Sequence, residues 1–289
     1  MCRLFALSSA PRRSKATFWL LDAPDSLSVQ SLRDPDGTGL GYFAADGVPC
    51  VHKAPLAAYQ DVAFASEAKQ VSSTTFLAHI RYASTGGLET RNTHPFEQEG
   101  RLFAHNGVIE DLDQLDARLG EDLALVKGDT DSERFFALIT QQTRAHDGRI
   151  ATGIEYAARW IAQNLPVYAL NLILTTADGL WALRYPDTHE LYVLERPAGG
   201  RHGGRHLEHS GTAGRMRVHS DDLVDNPSVV IASERMDEHP EWRLMEPGEL
   251  LHVGPDLRVT RRRVLPDLPT RQLTLDDLHP DAAASQKAV

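Results

Sequence analysis

The apolar positions in the first third of the chain form short runs bounded by turn residues, a pattern typical of β-strands. These runs predict strands at residues 2–7, 40–44, 48–53, 74–82 and 102–105. Asp46-Gly47 predicts a hairpin turn between the second and third strands. Because the run at 74–82 leads into Ser-Thr-Gly-Gly, it places Arg81 where a strand gives way to a loop. The glycines at 37, 39 and 41 favour a turn and close packing over a dinucleotide loop, since the last glycine of G-x-G-x-x-G is missing.

Between residues 110 and 165 the apolar spacing changes to three and four residues, which predicts helices. The last of them ends before Pro166. Thr130 and Glu133 have the spacing of a capping box, so Asp131 lies in the first turn of a helix, where the helix dipole also favours an acid. That structural role is by itself a sufficient explanation of Asp131.

Asn106-Gly107 follows the apolar run at 102–105 and has two interpretations. The dipeptide is among the commonest signals for a hairpin turn. A helical pattern comes next, however, so the order is strand, Asn-Gly, helix. This order makes a plain hairpin the weaker interpretation.

From residue 168 the pattern returns to strands, predicted at residues 169–176, 180–184, 191–194, 228–232, 249–253 and 257–264. A Gly, His and Arg-rich segment at 199–214 interrupts them and is predicted to be a surface loop. His202, His206 and His209 could be proposed as metal ligands, but solvated histidines are the favoured interpretation and no metal site is predicted. Residues 1–264 are predicted to form one domain, followed by a loosely ordered tail at 265–289 that is rich in Pro, Asp and Ala.

The composition excludes several classes of function. The formal net charge of -10 argues against a nucleic-acid-binding surface and against a basic surface that would bind membranes. The basic run Arg258, Arg261, Arg262 and Arg263 is interpreted as the solvated face of a late strand. Two cysteines give no disulfide framework, and neither a signal peptide nor a membrane span is found, so a cytoplasmic location is predicted.

Cys2 offers an unusual chemistry if the initiator Met1 is removed. Its thiol and the new α-amine then belong to one residue, with ordinary pKa values of about 8.5 and about 8. The amine can take the thiol proton and later protonate a leaving group. The alternative is that Cys2 is a small buried apolar residue, and only partners elsewhere in the chain can decide.

Five segments together suggest such partners: Met1-Cys2-Arg3, His79-Ile80-Arg81-Tyr82-Ala83, Asn92-Thr93-His94-Pro95-Phe96, Ala104-His105-Asn106-Gly107 and Gly128-Asp129-Thr130-Asp131-Ser132-Glu133. In this order they resemble the class II glutamine amidotransferases, a family of N-terminal-nucleophile hydrolases. Weaker similarity through Ala232-Ser233-Glu234 and Glu246-Pro247-Gly248-Glu249 extends it to about residue 264. The loop Tyr82-Ala83-Ser84-Thr85-Gly86 departs from the aromatic-Ala-Thr-His-Gly pattern of many relatives.

The resemblance implies an α+β fold, a four-layer αββα sandwich of two stacked, mainly antiparallel sheets. It implies that Cys2 attacks a γ-glutamyl amide while Asn106 and Gly107 stabilise the oxyanion. It also implies that Arg81 binds the α-carboxylate of the glutamyl group and Asp131 its ammonium. His94 and His105 are interpreted as structural, Asp129 is a weaker substrate candidate than Asp131, and no cofactor is implied.

Three hypotheses follow for the activity. The first is a stand-alone hydrolase that releases glutamate from a small γ-glutamyl compound or glutamine, similar to the γ-glutamyl hydrolase of ergothioneine assembly. The second is a glutaminase subunit that supplies ammonia to a separate synthase. The third is a catalytically silent binding or regulatory module on the same scaffold, which gains weight if Met1 is retained.

Overall fold

Two antiparallel sheets stacked face to face form the centre of the structure. The structure is a computed structural model. It describes residues 2–82, 87–198, 223 and 225–287, and the backbone of residues 209–210 and 217–218. The first sheet has the order β13-β9-β12-β1-β4-β2-β3. Its strands are β1 (Arg3–Ser8), β2 (Gly37–Phe43), β3 (Pro49–Ala54), β4 (Thr75–Arg81), β9 (Tyr192–Arg196), β12 (Ser228–Ala232) and β13 (Arg243–Leu244).

The second sheet has the order β15-β14-β8-β7-β6-β5, and β16 pairs in parallel with the start of β7. Its strands are β5 (Phe96–Gln98), β6 (Arg101–Ile109), β7 (Pro166–Thr175), β8 (Leu180–Arg184), β14 (Glu249–Val253), β15 (Val259–Arg263) and β16 (Arg271–Gln272). A separate pair joins β10 (His209–Ser210) to β11 (Arg217–Val218). The α-helices are α1 (Leu27–Gln30), α2 (Val62–Gln70), α3 (Leu112–Leu119), α4 (Asp131–Ala145), α5 (Ile150–Asn164) and α6 (Pro280–Gln286).

Three apolar layers hold the sheets and helices together. In β1, Leu4 and Ala6 pack into the layer between the sheets, whereas Phe5 and Leu7 pack against the helices on the outer side of the first sheet. Both faces of the strand are therefore buried, which explains why β1 is an almost continuous apolar run. A third layer joins the second sheet to α3, α4 and α5. This arrangement confirms the predicted αββα sandwich.

Several predicted elements match closely. β8, β12 and β14 have the predicted bounds, and α4 begins at Asp131 with the Thr130 hydroxyl accepting from the Glu133 N–H. The turn at Asp46-Gly47 joins β2 to β3, and Gly47 has a φ of 83°. Gly37 and Gly39 lie within β2 rather than in a turn. A Cβ on Gly39 would lie 1.8 Å from the carbonyl oxygen of His94, so close packing is the correct part of that interpretation.

Residues 265–287, which are predicted to form a loosely ordered tail, make several contacts with the rest of the structure. Leu278 and Ala282 pack against Val108, Tyr168 and Ala169 at the ends of β6 and β7. The Leu273 N–H donates to Val167, and a ring nitrogen of His189 lies 2.6 Å from Oε1 of Gln286. The apolar residues of this segment are spaced among polar ones, so the composition of the segment does not indicate these contacts. Across the described part of the chain, no helix is long and apolar enough to cross a membrane.

Candidate active site

Cys2 lies at the start of β1, on the face that looks into the space between the two sheets. Its side chain is buried, with 8% of the residue exposed. Sγ lies 3.3 Å from both the backbone nitrogen and the carbonyl oxygen of Tyr82, so it can accept from one and donate to the other. The thiol is thus fixed against the first residue after β4.

Arg81 is the last residue of β4, as predicted, and lies beside Cys2. In the β1–β4 ladder Arg3 is opposite Ile80, so the next step places Cys2 opposite Arg81. Nη1 of Arg81 donates to the Gly87 carbonyl at 3.0 Å. Burial lowers the pKa of Arg81, and the nearby charges of Cys2, Asp36 and Asp131 act against that shift. The guanidinium therefore shares its surroundings with both the candidate nucleophile and Asp131.

Burial makes the Cys2 thiol harder to deprotonate. Burial raises its pKa, and the charge of Asp34 adds to this effect. The Tyr82 N–H, the chain terminus and Arg81 lower the pKa but do not reverse the shift. Because the thiolate is the nucleophilic form, an attack by Cys2 requires a base that removes this proton.

Asn106 and Gly107 lie inside β6, which continues to Ile109, so both the predicted end of the strand before them and the hairpin interpretation are wrong. The ladder with β7 continues through Asn106–Asn171 and Gly107–Leu170. Nδ2 of Asn106 donates to the Cys2 carbonyl at 3.1 Å, which joins the second sheet to the start of the first. A Cβ on Gly107 would lie 1.9 Å from the carbonyl oxygen of Ala169, so this position requires glycine for close strand packing.

Asp131 combines its predicted structural role with a position near Arg81 and the end of β6. Oδ2 accepts from the Ile109 N–H at 2.9 Å, and Oδ1 accepts from the Ser132 N–H at 2.8 Å. The first contact joins α4 to the end of β6, two residues beyond Gly107. The carboxylate is 97% buried, with 3% of the residue exposed. We call Cys2, Arg81, Asn106, Gly107 and Asp131 the Cys2 site.

Buried histidines lie beneath this site. The rings of His79 and His94 are 4.2 Å apart, and Nδ1 of His105 lies 3.0 Å from the Ser132 hydroxyl. Burial lowers the pKa of His79 to about 3 and the pKa of His94 well below its usual value. These neutral rings fit the structural interpretation of His94 and His105.

Asn92 and Asp129 make a contact beside the site that the sequence does not predict. The Asn92 side chain is fully buried and hydrogen-bonded to Asp129. The only sequence signal for this contact was the presence of both residues in neighbouring motifs.

No group of three or more His, Cys, Asp or Glu residues in the described ranges is arranged to hold a metal ion. His202 and His206 lie outside those ranges, and only the backbone of His209 is described. The interpretation of these three histidines as solvated, with no metal site, therefore stays a prediction.

A family model described as "Glutamine amidotransferases class-II" matches residues 1–263. The chain belongs to the class II glutamine amidotransferases. The family predicted from the five segments is thereby confirmed, and with it the prediction of an amidohydrolase.

Individual relatives show how much of the chain is shared. The γ-glutamyl-hercynylcysteine sulfoxide hydrolase of Mycolicibacterium smegmatis is 29% identical over 263 residues, covering 88% of this chain and 96% of the relative. A class II glutamine aminotransferase domain protein of Silicibacter pomeroyi has a TM-score of 0.54 at 22% identity, covering 90% of this chain and 98% of that one.

A longer family member has the same fold over part of its length. The glutamine phosphoribosylpyrophosphate amidotransferase of B. subtilis has a TM-score of 0.63 at 17% identity, over 92% of this chain. The present chain spans 50% of that protein. At this level of identity the likeness shows the shared amidotransferase fold alone.

A second charged region lies at one edge of the sandwich, where β13 and β15 are the outermost strands of the two sheets. A cleft of about 600 Å³ is lined there by Val193, Glu195, Glu241, Arg243, Glu246, Glu249, Arg261, Arg262 and Arg263, and we call it the edge cleft. Arg243 donates to both carboxylate oxygens of Glu249, and Arg261 pairs with Glu195. Within the cleft, the charges of Arg243 and Arg261 are therefore compensated by those of Glu249 and Glu195.

Proposed function

We propose that this chain hydrolyses the amide bond of glutamine or a γ-glutamyl compound and releases glutamate. The observation that carries the proposal is the convergence of Cys2, Arg81, Asn106 and Asp131 at one end of the space between the sheets. The name of the hydrolase relative from M. smegmatis supports a γ-glutamyl substrate. The group that leaves from the γ-carbonyl is not specified by these residues.

The proposed reaction begins once Met1 has been removed and Cys2 carries the free α-amine. That amine takes the thiol proton, and Sγ forms a bond to the γ-carbonyl carbon. A base within the same residue answers the problem posed by a thiol whose pKa burial has raised. The resulting ammonium gives its proton to the leaving nitrogen, the C–N bond breaks, and a thioester remains.

Water completes the cycle in the second half of the reaction. The amine takes a proton from the attacking water, the C–S bond breaks, and the thiol regains a proton as glutamate leaves. In both tetrahedral intermediates the proposed oxyanion donors are the Asn106 amide and the Gly107 N–H. An asparagine amide has two N–H groups. One holds the Cys2 carbonyl, so the second can serve the oxyanion without breaking that contact.

Arg81 and Asp131 form the proposed glutamyl clamp. The guanidinium binds the α-carboxylate and the Asp131 carboxylate accepts from the α-ammonium, as charge-assisted hydrogen bonds. Backbone donors already fix the Asp131 oxygens, so the carboxylate is oriented before substrate arrives. Two opposite charges at a fixed spacing select a zwitterionic glutamyl group over simple amides.

A cysteine pair tests the nucleophile. Cys2→Ala should reduce release of p-nitroaniline from γ-glutamyl-p-nitroanilide, and of glutamate from glutamine, to background. Cys50→Ala is the matched control, because Cys50 lies in β3 and is not part of the Cys2 site; this variant should retain full activity. Intact-mass measurement establishes whether Met1 is absent. Activity that survives in Cys2→Ala, or an active protein that retains Met1, contradicts the mechanism.

The two alternatives differ in what the same assays return. A glutaminase subunit for a separate synthase would turn over slowly alone and accelerate when the partner is added. A silent module would bind glutamate without turnover. Cytoplasmic location remains a prediction that fits a catalytic thiol, because a reducing compartment keeps it free.

A further inference from the structure

One buried amide joins the two loops that carry the glutamyl clamp. Asn92 is fully buried, and its Oδ1 accepts from the Asp129 N–H at 2.9 Å. Its Nδ2 donates to Oδ2 of Asp129 at 3.2 Å and lies 3.4 Å from the Gly87 carbonyl. The side chain therefore uses its donor and its acceptor ends between two segments that are distant in sequence.

Each end of this connection leads directly to one member of the clamp. The Gly87 carbonyl that Asn92 approaches also accepts from Nη1 of Arg81 at 3.0 Å. Asp129 stands two residues before Asp131, whose carboxylate is fixed to the Ile109 N–H. Asn92 is thus one step from Arg81 on one side and two residues from Asp131 on the other.

The loop before α4 is shaped to receive this amide. A Cβ on Gly128 would lie 2.6 Å from Oδ1 of Asn92 and 2.9 Å from the Arg91 carbonyl oxygen, so only glycine permits the approach. The Gly128 N–H donates to Oε2 of Glu133 at 2.6 Å, which ties the loop to the first turn of α4. A second contact between the loops is exposed: Arg91 pairs with Asp129 at 3.1 Å, and both side chains are 51% exposed.

We propose that Asn92 is a positioning residue that sets the spacing between Arg81 and Asp131 and so determines the preference for substrates with both an α-carboxylate and an α-ammonium. The inference rests on the proposed γ-glutamyl hydrolysis. Charged hydrogen bonds depend strongly on geometry, and a displacement of about 1 Å can cost about 10² in rate. An exposed ion pair such as Arg91–Asp129 contributes little to such positioning.

The test compares two substrates that differ only in the ammonium, γ-glutamyl-p-nitroanilide and glutaryl-p-nitroanilide. In Asn92→Ala, kcat/KM for the γ-glutamyl substrate should fall at least tenfold, mainly through KM. The glutaryl substrate engages only Arg81 and should lose much less, so the ratio of the two kcat/KM values should shrink. Arg91→Ala is the matched control, because it removes the exposed contact to the same Asp129; its ratio should equal that of the wild type.

If kcat/KM falls by the same factor for both substrates in Asn92→Ala, so that their ratio is unchanged, the inference is overturned. Asn92→Ser is the second variant should the alanine variant fail to fold, with the same ratio as its readout. Binding of L-glutamate and glutarate to the Cys2→Ala protein, measured by calorimetry, separates this inference from the proposed function. A wild-type chain without turnover, combined with a glutamate preference that Asn92→Ala abolishes in the Cys2→Ala background, contradicts the hydrolysis and supports the positioning role.

Discussion

The Cys2 site and the edge cleft are both rich in charge, but their charged groups are held in different ways. In the edge cleft, Arg243 and Arg261 are held by Glu249 and Glu195, so opposite charges cancel in place. In the Cys2 site, backbone groups hold the charged side chains: the Gly87 carbonyl accepts from Arg81, and two N–H groups donate to Asp131. A backbone partner orients a charged side chain, and the charges of Asp36 and Asp131 also act on Arg81. The two regions therefore differ in the partners that orient their charged side chains, and the proposed chemistry lies in the region with backbone partners.

The largest expected effect belongs to a buried ion pair directly beside Cys2. Arg3 and Asp34 have fully buried side chains 3.5 Å apart, and Arg3 also lies 2.7 Å from Glu234. Arg3→Met should lower the free energy of unfolding by about 3–5 kcal/mol, because it leaves a carboxylate buried without this cation. Urea unfolding measures the loss.

Arg243→Met is the matched control in the edge cleft. Its side chain is 37% exposed, and Glu249, which is 7% exposed, keeps Arg261 at 3.8 Å and the Glu246 N–H as partners, so a smaller loss of about 1–2 kcal/mol is expected. Losses of equal size in the two variants would show that burial does not distinguish the ion pair beside Cys2 from the pair in the edge cleft.

The second prediction concerns Gly107, where the added Cβ meets backbone. Because a Cβ would lie 1.9 Å from the Ala169 carbonyl oxygen, Gly107→Ala must displace β6 or β7 and with it the proposed oxyanion donors. The kcat for γ-glutamyl-p-nitroanilide should fall by about 10² to 10³, the usual cost of a lost oxyanion donor. Steady-state kinetics with a circular-dichroism check of the fold measure the effect.

Gly254 in the turn between β14 and β15 provides the comparison for Gly107. A Cβ there would meet Oδ1 of Asp256 at 3.1 Å, a flexible side chain rather than backbone. Gly254→Ala should therefore retain kcat within a factor of two or so, since side chains adjust more easily than strands. Unchanged kcat in Gly107→Ala would remove Gly107 from the oxyanion proposal.

The third prediction uses the histidines beneath the Cys2 site, because the described residues that line the edge cleft include no histidine. Burial lowers the pKa of His79 to about 3, below the value near 6.5 of an unfolded chain. The unfolded state then binds the extra proton, so stability is complete above about pH 6.5 and is lost as the pH falls toward 3. At pH 4.5 this residue alone should cost about 2–3 kcal/mol.

Unfolding free energies measured from pH 4.5 to pH 7 test this sign. His79→Gln should flatten the acid slope relative to the wild type, whatever its effect at pH 7. His279→Gln is the control, because the His279 side chain is 77% exposed and should leave the slope unchanged. A slope in His79→Gln as steep as that of the wild type would contradict a neutral buried ring.

The sequence was most informative where local patterns decide the structure. β8, β12 and β14 are apolar runs bounded by turn residues, and α4 carries its own cap at Thr130. It was least informative where long-range contacts decide. Asn106-Gly107 has the local character of a turn, yet the ladder with β7 keeps both residues in a strand.

The candidate site shows the same division between local and long-range information. The order of the five segments identified Cys2, Arg81 and Asp131, because each stands next to a local signal for a strand or helix end. The contact of Asn92 with Asp129 joins residues 37 positions apart, and no local pattern indicates it. The packing of Leu278 on Ala169 was likewise invisible in a composition that suggests a loose tail.

The smallest expected effect belongs to the exposed pair of the edge cleft. Arg261 and Glu195 are 40% and 48% exposed, so their attraction is screened and the pair should be worth less than about 1 kcal/mol. A double-mutant cycle with Arg261→Gln and Glu195→Gln measures that coupling by urea unfolding, and 1 M salt should reduce it further. Hydrolysis of γ-glutamyl-p-nitroanilide should be unchanged in both variants, because paired charges at this edge have no part in the proposed chemistry. A fall in kcat/KM in Arg261→Gln would instead show that the edge cleft takes part in the reaction. Backbone partners for charged side chains would then no longer distinguish the Cys2 site from the edge cleft.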